Sequence, residues 1–208
     1  VHGHYEEKDL NGIYVGNAHR YDLIYKYYKK YGSKRALGFC CSRVHAEEMA
    51  KEFCKRGIQA VAVYSNADGV YSEDRSTAIE KLKSGEIRVI FSVDMFNEGV
   101  DITAVDMVMF LRPTESPIVF IQQLGRGLRK ANDKEYVVVI DFIGNYQNNF
   151  MIPIALSGDR TYNKDNIRRH VTEGGRIIPG ASTIHFDEIS RKRIFQAIDN
   201  ANFSDIKL

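Results

Sequence analysis

Short runs of consecutive apolar residues recur along the chain, at Ala36 to Cys41, Ala60 to Tyr64, Arg88 to Phe91, Met107 to Leu111 and Tyr136 to Ile140. Their continuous Val, Ile, Leu and Phe character predicts strands buried on both faces, the mark of a parallel sheet covered by helices. Between them the pattern changes to helical segments near Val44 to Lys55, Asp74 to Ser84 and Pro117 to Leu124. Gly57, after Lys55 and Arg56, reads as a helix stop with cations where the helix dipole favours them. Ser116-Pro117 reads as an N-cap followed by proline in the first turn. The alternation of strand and helix predicts an α/β, doubly wound parallel sheet.

In such sheets ligands gather outside the carboxyl ends of the strands. The residues that fall there are Ser42 and Arg43 after the first run, Ser65 and Asn66 after the second, and Ser92 and Asp94 after the third. Each one alone is equally an ordinary cap or turn former.

Composition adds limits rather than direction. A chain of 208 residues with 44% apolar and 27% charged residues can bury one good core and a small appendage. A net charge of +2 means that any nucleic-acid surface must be local. No apolar run approaches the ~18 residues of a membrane span, and no signal-peptide pattern is present, so a cytoplasmic location is expected. Cys40 and Cys41 sit in an apolar run and Cys54 on a helix, without C-x-x-C spacing, so they read as reduced core thiols. The histidines show no metal-ligand spacing.

The segment Gln122-Gln123-Leu124-Gly125-Arg126-Gly127-Leu128-Arg129-Lys130 carries the most chemistry. On a helix, Gln122, Arg126 and Arg129 share one face. Guanidinium groups stay charged and meet phosphate oxygens two at a time, so this face suits a transferring phosphoryl group; the same spacing also suits a solvated basic turn.

Taken with that segment, Ala36-Leu37-Gly38-Phe39-Cys40-Cys41-Ser42 and Phe91-Ser92-Val93-Asp94-Met95-Phe96-Asn97-Glu98-Gly99-Val100-Asp101-Ile102 resemble motifs IV, V and VI of the superfamily 2 DEAD/DEAH-box helicases. They stand in the family's order, within Lys34 to Asn145, and their form most resembles the bacterial restriction-type (type III restriction-like) members. The resemblance implies a C-terminal RecA-like, P-loop NTPase-like domain that uses ATP and Mg2+. Arg126 and Arg129 would act as arginine fingers, with Gln122 near the γ-phosphate or the attacking water. Gly99 would let the backbone approach the nucleotide, and Asp101 would accept from the ribose or pair with Arg126. Ser42, Arg43, Ser92 and Asn97 would hold the sugar-phosphate backbone of a nucleic acid, with the restriction-type resemblance leaning to DNA.

No stretch matches G-x-x-x-x-G-K-[ST], and no DEAH-like box precedes motif IV. The chain is therefore expected to work with an N-terminal RecA-like domain of the same parent protein and to be inactive alone. Two alternatives stay open: the motor of a duplex DNA translocase or restriction subunit, and a non-catalytic nucleic-acid-binding module.

The flanks are read more coarsely. Residues 1–33 are a linker or domain-edge segment, 34–149 the RecA-like domain and 150–208 a small, mainly helical extension. Tyr21, Tyr25 and Tyr28 form a helical stripe that either stacks bases or packs half-buried on its own domain. Phe186-Asp187-Glu188 reads as a helix start, and Ile189, Ile194, Phe195 and Ile198 as the apolar face that follows. The clusters Arg168-Arg169-His170 and Arg191-Lys192-Arg193 either extend a nucleic-acid track or are solvated helix faces.

Overall fold

The computed structural model describes residues 7–96, 105–113, 137–142, 161, 163–173, 185 and 187–200. The chain divides into two compact units, Val1–Ile143 and Gly144–Leu208. The first opens with helices α1 (Glu7–Tyr14) and α2 (Ala18–Tyr31). It continues through β1 (Ala36–Phe39), α3 (Arg43–Lys55), β2 (Ala60–Val63), α4 (Arg75–Ser84), β3 (Val89–Ser92), β4 (Met107–Phe110) and β5 (Val138–Asp141). The strands make one sheet in the order β2-β3-β1-β4-β5, and every pairing is parallel. Ala36 stands opposite Val89 on one side and Met107 on the other, so β1 lies at the centre of the sheet.

The apolar runs form strands because both faces are covered. β1, β3 and β4 are buried at every position, whereas β5 alternates half-buried with exposed residues. On one face Ala36, Cys40, Val89, Phe91, Met107, Met109 and Leu111 pack against α2 and α3. Phe53 of α3 is the hub of that face, meeting Phe91, Tyr28 and Tyr25 edge-on at 5.0, 5.2 and 5.6 Å between ring centres. Such edge-to-face pairs add to the burial of the rings themselves. Gly38 makes room for this packing, since a Cβ there would lie 2.7 Å from Cδ1 of Phe91.

Helix ends follow local chemistry. The Asp74 side chain accepts from Ser76 N–H at 3.0 Å and Thr77 N–H at 3.1 Å to open α4, and Gly85 closes it in the left-handed region. Gly57, also left-handed, ends α3 by donating to the Cys54 carbonyl. At the amino end of β1, Asp106 accepts from Ser33 Oγ at 2.5 Å, Lys34 N–H at 2.9 Å and Arg35 N–H at 3.1 Å, fixing the entry of β1 beside β4. The three cysteines are free thiols, and burial pushes that of Cys40 well up.

The tyrosine stripe of α2 packs against its own unit. Tyr21, Ile24 and Tyr28 are buried, and Tyr25 lies against the same core beneath the Arg56 guanidinium, 5.2 Å from its ring centre. In the second unit, α5 (Lys164–Glu173) buries Ile167 and Val171, and α6 (Glu188–Asn200) buries Ile194 and Ile198. The Asp187 carboxylate caps α6 by accepting from Ile189 and Ser190 N–H, both at 2.9 Å. Ile189 itself is 66% exposed, so the apolar face of α6 is narrower than its sequence suggests. Arg168 is paired with Asp165 and Asp199, and Lys192 with Glu188, so both basic clusters are partly neutralised at home. The predicted helix at Pro117 to Leu124 lies outside the described residues.

Candidate functional site

A wholly parallel sheet brings the carboxyl ends of all its strands to one edge. Ser42 and Arg43 follow β1 there, Ser65 and Asn66 follow β2, Val93 to Phe96 follow β3, and Leu111 and Arg112 follow β4. Ser42, Arg43 and Ser92 are thus brought to one edge. Asn97, Gly99, Asp101, Gln122, Arg126 and Arg129 lie outside the described residues.

Ser42 has an extended backbone and caps α3, its hydroxyl oxygen accepting from His45 N–H at 3.1 Å. The same hydroxyl donates to the Asn11 side-chain oxygen, and the residue is buried. Both functions of the hydroxyl are therefore in use. Arg43 is exposed, and its guanidinium lies 5.5 Å from the Tyr64 ring centre. Tyr64 in turn anchors the loop after β2. Its hydroxyl donates to Glu47 Oε1 and accepts from Gly69 N–H, both at 3.1 Å, while Glu47 Oε2 takes Tyr71 N–H at 3.1 Å. Tyr71 and Glu73 exchange backbone hydrogen bonds with Ala62, so the returning chain lies along β2.

Ser92, the last residue of β3, is fully buried, and its hydroxyl has no hydrogen-bond partner among the described residues. A buried polar atom left unpaired costs free energy. Two residues later Asp94 takes a left-handed backbone with φ of 55°, uncommon for a residue other than glycine. Its carboxylate pairs with Arg112 Nη2 at 2.8 Å. Since β3 and β4 flank β1, this pair spans the carboxyl end of the central strand. Asn66 shares the left-handed conformation at the mouth of β2.

Beside Ser42 lies a group of residues that the sequence reading did not single out. His45 is completely buried; its Nδ1 receives Cys41 N–H at 3.4 Å and lies 3.2 Å from Cys41 Sγ, while Nε2 has no hydrogen-bond partner among the described residues. Burial, with the nearby Arg20 charge, pushes its pKa down to about 3. The Tyr14 ring stacks on the imidazole at 5.7 Å and supports the Arg20 guanidinium at 4.4 Å. Arg20 keeps Nε and Nη2 buried without hydrogen-bond partners among the described residues, and burial lowers its pKa. His45 could have been noticed three residues after a cap serine on the buried face of α3. Nothing local to Arg20 marks it.

Among the described residues no group of three or more His, Cys, Asp or Glu side chains is arranged to hold a metal ion, and no helix is long and apolar enough to cross a membrane.

Comparison with known proteins gives this edge a context. IRC3 of Saccharomyces cerevisiae, which bears the name of an ATP-dependent helicase, is 35% identical over 111 residues. That stretch covers 53% of this chain but 16% of IRC3. The ATP-dependent RNA helicase eIF4A of Kluyveromyces lactis is 25% identical over 146 residues, covering 67% of this chain and 35% of the relative. The chain therefore spans well under half the length of these relatives. Among solved structures, the C-terminal domain of the DEAD-box protein Dbp5 superposes with a TM-score of 0.50 at 16% identity, covering 60% of this chain and 70% of that one. The family model for the helicase conserved C-terminal domain matches residues 19–131, more than half of the sequence, and that span holds β1 to β4 together with the segment from Gln122 to Lys130. The chain belongs to the helicase conserved C-terminal domain family, in superfamily 2, with a RecA-like α/β fold.

Proposed function

We propose that this chain is the second motor domain of an ATP-dependent DNA helicase, completed by an N-terminal RecA-like domain of the same parent protein. The observation that carries the proposal is the convergence of Ser42, Arg43 and Ser92 at one sheet edge, within a family match that runs on through Arg126 and Arg129. In this reading ATP and Mg2+ are held chiefly by the preceding domain. Bound ATP would supply the transferring phosphoryl group, with closure of the two domains completing the site and opening following hydrolysis.

The contributions of this chain are electrostatic and positional. Arg126 and Arg129 reach across the interdomain cleft and neutralise charge that builds on the phosphoryl oxygens, a role worth on the order of 10³ to 10⁵ in rate. Gln122 orients the attacking water. Gly99 lets the backbone come close to the nucleotide, and Asp101 accepts from the ribose or from Arg126. Arg43, Ser92 and Asn97 bind the sugar-phosphate backbone through charge and small polar groups, contacts that position a strand without reading its bases. The unpaired Ser92 hydroxyl supports such a role, since an incoming phosphate oxygen would satisfy it. Ser42 takes part when its hydroxyl is released from Asn11.

The choice of DNA rests on the restriction-type form of motifs V and VI. The test is ATP hydrolysis by this chain alone and mixed with the preceding RecA-like domain, with single-stranded DNA, duplex DNA or RNA. Silence alone and stimulation of the pair by single-stranded DNA support the proposal. Stimulation by duplex only makes the protein a translocase, and stimulation by RNA only overturns the DNA assignment. Binding of nucleic acid without any turnover makes it a non-catalytic module.

A further inference from the structure

Three buried side-chain nitrogens crowd the carboxyl end of β1 with no hydrogen-bond partner among the described residues. Arg20 offers Nε–H and an Nη2–H, and His45 offers its Nε2. His45 Nδ1 lies 3.4 Å from Cys41 N and 3.2 Å from Cys41 Sγ; in the tautomer in which Nδ1 accepts from Cys41 N–H, the proton of the neutral ring is on Nε2. A fourth donor, the Ser42 hydroxyl, is lent to the Asn11 amide oxygen. In that tautomer all four are donors, and two of them belong to Arg20, a permanent cation. A buried set of this kind matches an anion rather than a neutral or cationic ligand. The contacts that cover it come from α1: Asn11 caps the Ser42 hydroxyl, and Tyr14 lies against both the His45 ring and the Arg20 guanidinium.

We infer that α1 is a removable cover over a phosphate-binding site built from Arg20, Ser42 and His45, and that the site takes a backbone phosphate of a nucleic-acid strand when α1 lifts. The inference rests on the proposed nucleic-acid role of this sheet edge. In the closed form the Asn11 oxygen occupies the acceptor position that a phosphate oxygen takes in the open one. The pivot is Gly16, whose φ of 72° lies in the region that glycine adopts freely. Its N–H is held by the Tyr21 hydroxyl at 2.7 Å and Glu48 Oε2 at 2.8 Å, and Tyr21 also donates to Glu48. These bonds pin the start of α2 to α3, and Asn17 caps α2 by accepting from Arg20 N–H at 3.1 Å. Arg20 therefore stays in place while α1 turns about the glycine. Nucleic acid and α1 compete for the same donors, so the cover sets the affinity of the strand-binding edge.

The test is binding of a fluorescent single-stranded oligonucleotide to the full chain, by anisotropy over a range of salt concentrations, with thermal melting as a check of folding. Asn11→Ala removes the competing acceptor and is expected to tighten binding by about two- to tenfold, the worth of one hydrogen bond. Arg20→Gln is expected to weaken binding and to flatten the slope of log K against log salt by about 0.7, one phosphate contact on a single strand. Unchanged or weaker binding by a folded Asn11→Ala chain overturns the cover. An unchanged salt slope in Arg20→Gln overturns the site, and that result decides the matter if Asn11→Ala does not fold. If the native chain binds and the variants behave alike, only this inference falls. If neither the native chain nor any variant binds, the nucleic-acid reading of the edge falls with it.

Discussion

Acid should weaken the first unit through a single buried imidazole. His45 is completely buried and held to a pKa of about 3, chiefly by burial, whereas an unfolded histidine titrates near pH ~6.5. Between those values the unfolded chain binds a proton that the folded one refuses. The contribution of His45 is therefore fully present above about pH 6.5 and is lost as pH falls through the window toward about 3, at about 1.4 kcal/mol per unit. From pH 7 to pH 5 the loss comes to about 2 kcal/mol, and because both ends lie above the folded pKa it depends only on the unfolded one. For a chain of this size that corresponds to a fall in melting temperature of about 4–8 °C. The chain has no tryptophan, so unfolding in urea is best followed by far-UV circular dichroism, at pH 7, 6 and 5, on the native chain and on His45→Gln. Glutamine does not titrate, so carboxylates elsewhere affect both proteins alike and the difference isolates His45. The native curve should drop about 2 kcal/mol further than the variant over that range. Parallel losses in the two proteins would refute the reasoning, since they would mean that the imidazole is charged in the folded state or reached by water.

Two further substitutions test the framework that carries the site. Gly38→Ala places a methyl 2.7 Å from a carbon of Phe91, itself wedged edge-on against Phe53, and should destabilise by about 1–3 kcal/mol in denaturant melts, with partial recovery when Phe91→Leu is added. Asp74→Ala removes the side chain that opens α4 and should lower the melting temperature at neutral pH. Because hydrogen bonds from Ser76 and Thr77 hold that carboxyl well below the usual aspartate range, its contribution is whole above the ordinary carboxylate pKa and fades only as acid protonates the folded form. Native and Asp74→Ala melting temperatures should therefore converge in strong acid.

The sheet was readable because parallel strands are apolar on both faces. Met107 to Leu111 has no polar residue to interrupt it, and β4 occupies all but its last position. Caps were equally local: Asp74 and Ser42 stand just before their helices, and Gly57 and Gly85 just after. What stayed hidden depends on partners far apart in sequence. Asn11 finds Ser42 across 31 positions, Tyr21 finds Glu48 across 27, and Asp106 finds Ser33 across 73. No periodicity announces such pairs, so residues 1–33 read as an edge although α2 supplies Tyr21, Ile24 and Tyr28 to the core. Arg20 was missed for the same reason, because its burial is created by Tyr14 and the end of β1 rather than by its neighbours. Strand ends also moved: β1 stops at Phe39, before Cys40 and Cys41, although Cys40 N–H still bonds the Ser92 carbonyl at 2.8 Å. For Asn97, Gly99, Asp101, Gln122, Arg126 and Arg129 the assignments stand on sequence and family resemblance.

The most direct test of the motor-domain proposal is nucleic-acid-stimulated ATP hydrolysis by the full-length protein carrying Arg129→Ala, measured beside nucleotide affinity and melting temperature. The expected result is a loss of turnover on the order of 10³ or more, with nucleotide binding and folding unchanged, as follows if Arg129 acts on the transferring phosphoryl group. Turnover within about tenfold of the native protein would contradict that role.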